Sequence, residues 1–256
     1  MSKRKKFVLT SLLLSLGFVG IQFLDNQFRI PAIGALSLLT AGLFAWSLYE
    51  GLGLDMTILT IVLPTVFTAG VGLFWFLLPV NLFARLPIVV FYGLGIYGLC
   101  LTMNIFTVAA IRTIALLRAA RGVGFVLTLV TFFLVYDAII SIKIPFWLSV
   151  PATIGISFPL FWQGFWTIPL EKEFSKPLLI ISAISSLIIG EIALALYFWP
   201  TTIVGGSLFL TIGCYILLGL GQAKLEERLF SQTVREYLLV GVLVFAGMFL
   251  ATHWGG

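Results

Sequence analysis

The sequence predicts an all-α membrane protein: a polytopic bundle of nine transmembrane helices, with the N-terminus in the cytoplasm and the C-terminus outside. Hydrophobic residues make up 61% of the 256 residues and charged residues only 10%, whereas a soluble domain carries about 25% charged residues. A surface so poor in charge would aggregate in water, so we expect the chain to use lipid as its solvent. A regular series of apolar runs and a one-sided distribution of cations predict the number and direction of the helices.

Nine apolar runs are long enough to cross a bilayer, which takes about 20 residues of helix. The predicted spans are 7–24, 30–49, 57–78, 87–109, 123–142, 146–167, 178–198, 203–221 and 238–254. The longest connector, residues 222–237, is too short to fold as a soluble domain. We therefore expect any functional site to be built from the helices and their ends.

The boundaries of several spans are marked by particular residues. The first span follows a basic stretch, as a signal peptide does, but no small-x-small cleavage site follows it, so we interpret it as an uncleaved span. Pro79 and Pro200 end the third and seventh spans. Pro151 and Pro159 lie inside the sixth span, which we expect to be the least straight of the nine.

The lysines and arginines predict the orientation, because they stay on the cytoplasmic side of a membrane. With the N-terminus inside, only Arg29, Arg85 and Lys143 lie in outer segments. The inner segments hold the other twelve of the 15 cations: Lys3, Arg4, Lys5, Lys6, Arg112, Arg118, Arg121, Lys172, Lys176, Lys224, Arg228 and Arg235. Adding or removing one span would destroy this asymmetry, so it supports both the count and the direction.

A weak internal similarity suggests that the single membrane domain 1–256 contains a repeat. Cys100 and Cys214 lie in the fourth and eighth spans, Arg121 and Arg235 lie just before the fifth and ninth, and the members of each pair are 114 residues apart. The predicted halves are 7–122 and 123–236, in a parallel four-plus-four arrangement, with 238–254 as an extra helix. The alternative is chance similarity between segments rich in Leu, Phe and Val.

Two acidic residues, Asp137 and Glu191, lie well inside predicted spans. They follow Val123 and Leu178 by 14 and 13 residues, which places both roughly 20 Å from the inner edge of the membrane at 1.5 Å per residue. An ionised carboxylate there costs at least about 2.5 kcal/mol. One interpretation is a proton or cation site. The other is structural, with each carboxylate reaching the headgroup region or bonding to a neighbouring helix.

Small residues precede Glu191 at helical spacing, at Ser182, Ser186 and Gly190. Such a stripe permits close helix packing. We therefore expect Glu191 to face protein rather than lipid.

Two inner connectors are basic or of mixed charge. The first carries Arg112, Arg118 and Arg121 among apolar residues, and the second spans 224–236. Both patterns favour amphipathic helices at headgroup level or extensions of the preceding span. We expect the three arginines to contact anionic lipid headgroups.

Several classes of site are excluded by the residues available. The single histidine, His253, rules out a histidine-rich metal cluster and a Ser-His-Asp triad, and no metal is expected. Gly93-x-Gly95-x-x-Gly98 matches the dinucleotide fingerprint in letters, but it lies inside a span, where it indicates helix packing, and no cofactor is expected. The cations lie at the ends of spans, so membrane topology explains them better than nucleic acid does.

The functional prediction follows from what remains. The packing stripes and basic connectors favour a non-catalytic structural or accessory component of the cell envelope, in a prokaryotic plasma membrane. Its partners would be the lipid bilayer, anionic headgroups, and another membrane protein or a second copy. The alternative is a small secondary transporter or proton-coupled carrier that uses Glu191, Asp137 or both. An intramembrane enzyme would need a nucleophile–base pair or a metal cluster, which the sequence does not suggest.

Overall fold

The computed structural model describes residues 3–21, 23–48, 54–77, 82–110, 115–171 and 173–252. Throughout these ranges the regular structure is helical, with no strand, which confirms the predicted all-α fold. The nine helices are α1 (Lys3–Ile21), α2 (Asn26–Leu48), α3 (Leu54–Phe76), α4 (Leu82–Ala109), α5 (Leu117–Ser141), α6 (Phe146–Trp166), α7 (Lys176–Tyr197), α8 (Ile203–Leu225) and α9 (Ser231–Ala251).

Several helices begin before the apolar run that predicts them. α1 starts at Lys3 and α5 at Leu117, because Lys and Arg are good helix formers and extend a helix beyond its hydrophobic part. α6 is one helix from Phe146 to Trp166 and contains both Pro151 and Pro159.

Seven of these helices are long and apolar enough to cross a membrane: α2, α3, α4, α5, α7, α8 and α9. α1 and α6 are not in this set. α1 starts with four cations, Lys3 to Lys6, and α6 contains two prolines, three tryptophans and Gln163, all of which lower hydropathy. The crossing of the membrane by all nine helices therefore stays a prediction.

The chain forms two compact units. Unit 1 comprises residues 1–135 and 170–173. Within it α2 packs on α3, α1 packs on α4 and α2, and α3 packs on α4. Its interior contains Leu14, Phe44, Leu63 and Ile96.

Unit 2 comprises residues 136–169 and 174–256. Within it α6 packs on α7, and α8 packs on α6, α7 and α9. The division between the units falls inside α5, after Val135, whereas the predicted halves meet after Gly122. The internal repeat stays a prediction.

The predicted packing stripe lies between α6 and α7, the two helices of unit 2 that pack most extensively. Ser182, Ser186 and Gly190 of α7 are buried, and a Cβ added at Gly190 would overlap the side chain of Ile154 in α6. The absence of a side chain at Gly190 therefore allows α6 and α7 to approach each other. This confirms the interpretation of the stripe as a packing surface.

The second connector differs from its prediction. Residues 224 and 225 extend α8 beyond its predicted span and residues 231–236 begin α9, but residues 226–230 between them are not helical, so the connector is not one amphipathic helix. The amide of Arg228 donates to the carbonyl of Ala223 at 2.8 Å and that of Glu227 to Lys224 at 3.1 Å, and Glu227 has a φ of 58°. These are the bonds of a Schellman cap, which ends α8.

Candidate functional site

A chain of hydrogen bonds joins three helices inside unit 2. The hydroxyl of Tyr136 lies 2.7 Å from Oγ of Ser157 and 3.1 Å from Sγ of Cys214. Ser157 also donates to the carbonyl of Thr153. Because each of these groups has a single proton, the donors run in one direction: Cys214 to Tyr136, Tyr136 to Ser157, and Ser157 to Thr153. The chain connects α5, α6 and α8.

Unit 1 contains a similar chain of buried hydroxyls. Oγ1 of Thr68 lies 3.1 Å from Oγ1 of Thr40 and 3.1 Å from the hydroxyl of Tyr92. These residues belong to α2, α3 and α4. Buried hydroxyls that bond to one another and to their own helix backbone lose little on leaving water, so both chains stabilise helix packing.

Asp137 is buried within unit 2, with only 4% of its surface exposed. Its Oδ1 lies 3.2 Å from Oγ of Ser207 in α8. Ser207 also lies within bonding distance of the carbonyls of Ile203 and Val204, so its one proton is shared among competing acceptors. The carboxyl group of Asp137 therefore links α5 to α8, which agrees with the interpretation that it bonds to a neighbouring helix. It is also shielded from solvent, which is a property expected of a proton site.

Unit 2 also contains a cavity of about 290 Å³. It is enclosed by the C-terminal ends of α5 and α7 and the N-terminal ends of α6 and α8. Its polar lining comes from Tyr136, Lys143, Ser149, Thr153 and Thr201. The volume is near the lower limit of small-molecule sites. Asp137 and Ser207 do not line the cavity, but each directly follows in the sequence a residue that does, Tyr136 and Gly206 respectively.

Glu191 is placed differently from its prediction. The side chain is exposed, so the expectation that it faces protein is wrong. It lies on a stripe of exposed apolar residues on α7, with Leu187 and Leu194 on either side. One residue along a helix turns the side chain by about 100°, which moves position 191 off the packed face that contains Gly190. Glu191 and Asp137 are therefore not brought together in one buried site.

Two arginines of the first connector belong to the next helix. Arg118 and Arg121 lie in the first turns of α5, where Arg118 is exposed and Arg121 is half-buried. Arg112 lies outside the described residues. Contact with lipid headgroups stays a prediction for all three.

The tyrosines at the centre of the two chains, Tyr92 and Tyr136, are not among the residues that the sequence predicts as functional. A signal does exist for one of them: Tyr136 directly precedes Asp137 in the middle of an apolar run. Spacing along the chain, however, does not show that it meets Ser157 and Cys214.

Comparison with known proteins places this chain in one family. Residues 10–251 match the family described as "Protein of unknown function (DUF5656)", and the chain belongs to that family. No curated protein and no solved structure matches the chain.

Proposed function

We propose that this member of a family of unknown function is a non-catalytic structural or accessory component of the cell envelope, resident in a prokaryotic plasma membrane. The proposal depends on one observation: buried hydroxyl groups form hydrogen bonds between helices in both units. Thr40, Thr68 and Tyr92 in unit 1, and Tyr136 and Ser157 in unit 2, bond across helices. Groups placed in this way hold helices together, as a structural component requires.

The proposed partners are the bilayer itself, anionic lipid headgroups, and a membrane-protein partner or a second copy of this chain, with no role for nucleic acid. Arg118 supports the headgroup contact, because it is exposed at the start of α5. α9 supports association within the membrane, because none of its 21 residues is buried. Apart from the side that packs on α8, the surface of α9 is available to lipid or to a neighbouring helix.

The size of the protein in its own membrane tests this role. After mild detergent extraction at native expression, native electrophoresis should give a particle larger than the purified 28.2-kDa chain in the same detergent. Migration of the extracted protein together with the purified single chain would contradict an accessory role in an assembly.

A second candidate function is a proton-coupled or cation-coupled carrier, and one observation favours it. Asp137 is a buried carboxyl group that directly follows Tyr136 in the sequence, and Tyr136 lines a cavity that has polar side chains. Buried acids within membrane spans commonly mark ion or proton pathways. Glu191 does not support this function, because it is exposed on the apolar face of α7.

Proteoliposomes with a pH-sensitive dye inside separate the two functions. For a structural component, the proton leak under an imposed gradient should equal that of protein-free liposomes, and Asp137→Asn should not change it. For a carrier, the wild-type protein should raise the leak, Asp137→Asn should abolish the increase, and Glu191→Gln should retain it. An increase that survives Asp137→Asn would contradict the carrier proposal.

A further inference from the structure

A buried arginine in unit 1 has no anionic partner among the residues that the structure describes. Arg85, near the start of α4, is only 5% exposed. Its guanidinium lies over the ring of Trp75, 5.1 Å from the centroid, and its Nε is buried without a hydrogen-bond acceptor. A cation–π contact recovers only part of the hydration that a guanidinium loses on burial. The described part of the chain therefore supplies no anion for this guanidinium.

The same unit contains a long apolar groove whose lining includes residues close in sequence to Arg85 and Trp75. It has a volume of about 650 Å³ and is lined by α3, α4 and α5. Phe74 and Ile88 line one end. Phe74 directly precedes Trp75, and Ile88 is three residues after Arg85, on the same side of α4. Side chains tilt toward the N-terminus of their helix. We therefore expect the side chain of Arg85 to point toward the start of α4, beyond the end of the groove that Ile88 lines.

The groove is open at its side and elongated along the helices that line it. Phe91 and Leu94 line it and are 72% and 61% exposed. Gly98 and Gly122 contribute no side chain at the end farthest from Arg85. Along α4 the lining runs from Ile88, at the end nearer Arg85, to Gly98, which is about 15 Å at 1.5 Å per residue. One leaflet of a bilayer has a hydrocarbon depth of about 15 Å.

We propose that this groove binds one acyl chain of an anionic phospholipid whose phosphate pairs with Arg85. The charges favour this occupant. The arginine supplies the cation that a phosphate requires, and guanidinium–phosphate hydrogen bonds are among the strongest in proteins. The lining supplies an almost wholly apolar surface of matching length. A free anion would leave the groove unfilled, and an uncharged lipid would leave Arg85 without a partner.

The site differs from the headgroup contacts expected at the first connector. Arg118 lies one turn before Gly122, at the opposite end of the groove from Arg85, and is exposed. An exposed arginine is already hydrated and gains less from a phosphate than a buried one does. We therefore expect the lipid preference to depend on Arg85 and not on Arg118. The site is also independent of the proposed envelope role, whose tests measure assembly and flux.

The experiment compares lipids bound to the delipidated protein in a neutral detergent, by native mass spectrometry. Dioleoylphosphatidylglycerol should bind at least about tenfold more tightly than dioleoylphosphatidylcholine, as expected for a charge-assisted pair that is shielded from water. Arg85→Gln should reduce this preference to less than about twofold, while Arg85→Lys, which retains the charge, should keep part of it. Arg118→Gln should leave the preference unchanged.

Two glycine variants test whether the acyl chain of the lipid lies in the groove. Gly122 has open space where a Cβ would lie, and a Cβ at Gly98 would make only an ordinary contact with Leu127 at 3.7 Å. Gly98→Leu and Gly122→Leu should therefore fold and fill the groove, which would weaken the binding of both lipids. Gly34→Leu is the matched control, because Gly34 is exposed in α2 and also has open space; it should bind both lipids as the wild type does.

Thermal unfolding without lipid checks that the variants are folded. Because Arg85→Gln removes an unpaired buried charge, its melting temperature in lipid-free detergent should equal or exceed that of the wild type. Added dioleoylphosphatidylglycerol should raise the melting temperature of the wild type more than that of Arg85→Gln, so that the wild type becomes the more stable protein. Three results would overturn the proposal: full stabilisation by inorganic phosphate alone, equal binding of neutral dioleoylglycerol, or a lipid preference that survives Arg85→Gln.

Discussion

The contact between α6 and α7 gives a prediction whose magnitude can be worked out from the structure. Gly190→Ala places a methyl group on the side chain of Ile154. Overpacking of this kind costs about 1–3 kcal/mol. The same methyl group also improves helix propensity by up to about 1 kcal/mol, so the cost must be measured against a substitution that provides only the gain.

Gly155→Ala provides that control on the facing helix. Gly155 is exposed, and no atom lies within 4 Å of its added Cβ. This variant should stabilise the protein by about 0.5–1 kcal/mol. Because the propensity gain is common to both variants, Gly190→Ala should be less stable than Gly155→Ala by about 1–3 kcal/mol, and this difference measures the overpacking alone.

The assay is equilibrium unfolding in mixed micelles with increasing dodecyl sulfate, followed by circular dichroism. A second arm places Gly190→Ala in an Ile154→Ala background, where the obstructing side chain is absent. There the cost should disappear, which corresponds to a coupling energy of about 1–3 kcal/mol. Equal stability of the two alanine variants, or additive effects with Ile154→Ala, would refute the assignment of Gly190 to a close helix contact.

Two further predictions concern topology and the hydroxyl chain. With nine crossings and the N-terminus inside, a membrane-impermeant maleimide should label Lys143→Cys in intact cells and Arg228→Cys only after permeabilisation; the native Cys100 and Cys214 are fully buried and should add little background. The opposite labelling pattern would contradict the predicted direction. Tyr136→Phe removes the hydroxyl between Ser157 and Cys214 and should lower the free energy of unfolding by about 1–2 kcal/mol, whereas Tyr197→Phe, at a side chain that is 47% exposed, should change it by less than about 0.5 kcal/mol; equal losses would argue against the hydroxyl chain.

The helices could be predicted from the sequence because lipid leaves the backbone few alternatives. Without water to satisfy amides and carbonyls, an apolar run must form a helix. The same reasoning identified the packed face of α7 at Ser182, Ser186 and Gly190, since small residues at helical spacing allow close approach. Periodicity is local information, and these features depend only on local information.

The candidate site depends on contacts between distant segments, which periodicity does not contain. The sequence predicts only that Arg85 is a cation in an outer segment. The fold shows in addition that its side chain is buried and lies over the ring of Trp75. Tyr136 meets Cys214 across 78 positions. The prediction for Glu191 failed for a different reason: its neighbour Gly190 is packed, but a turn of one residue along the helix is enough to move a side chain from a buried face to an exposed one.

The absence of buried residues in α9 has a consequence for how its sequence can vary. A side chain inside a packed interior is constrained by shape, because its neighbours leave room for one volume and one branching pattern. Along most of α9 the constraint is solubility in hydrocarbon, which Leu, Val, Ile and Phe satisfy almost equally. We therefore expect evolutionary drift to exchange these residues freely in the last helix, while the faces shared by α6 and α7 change only in compensated pairs.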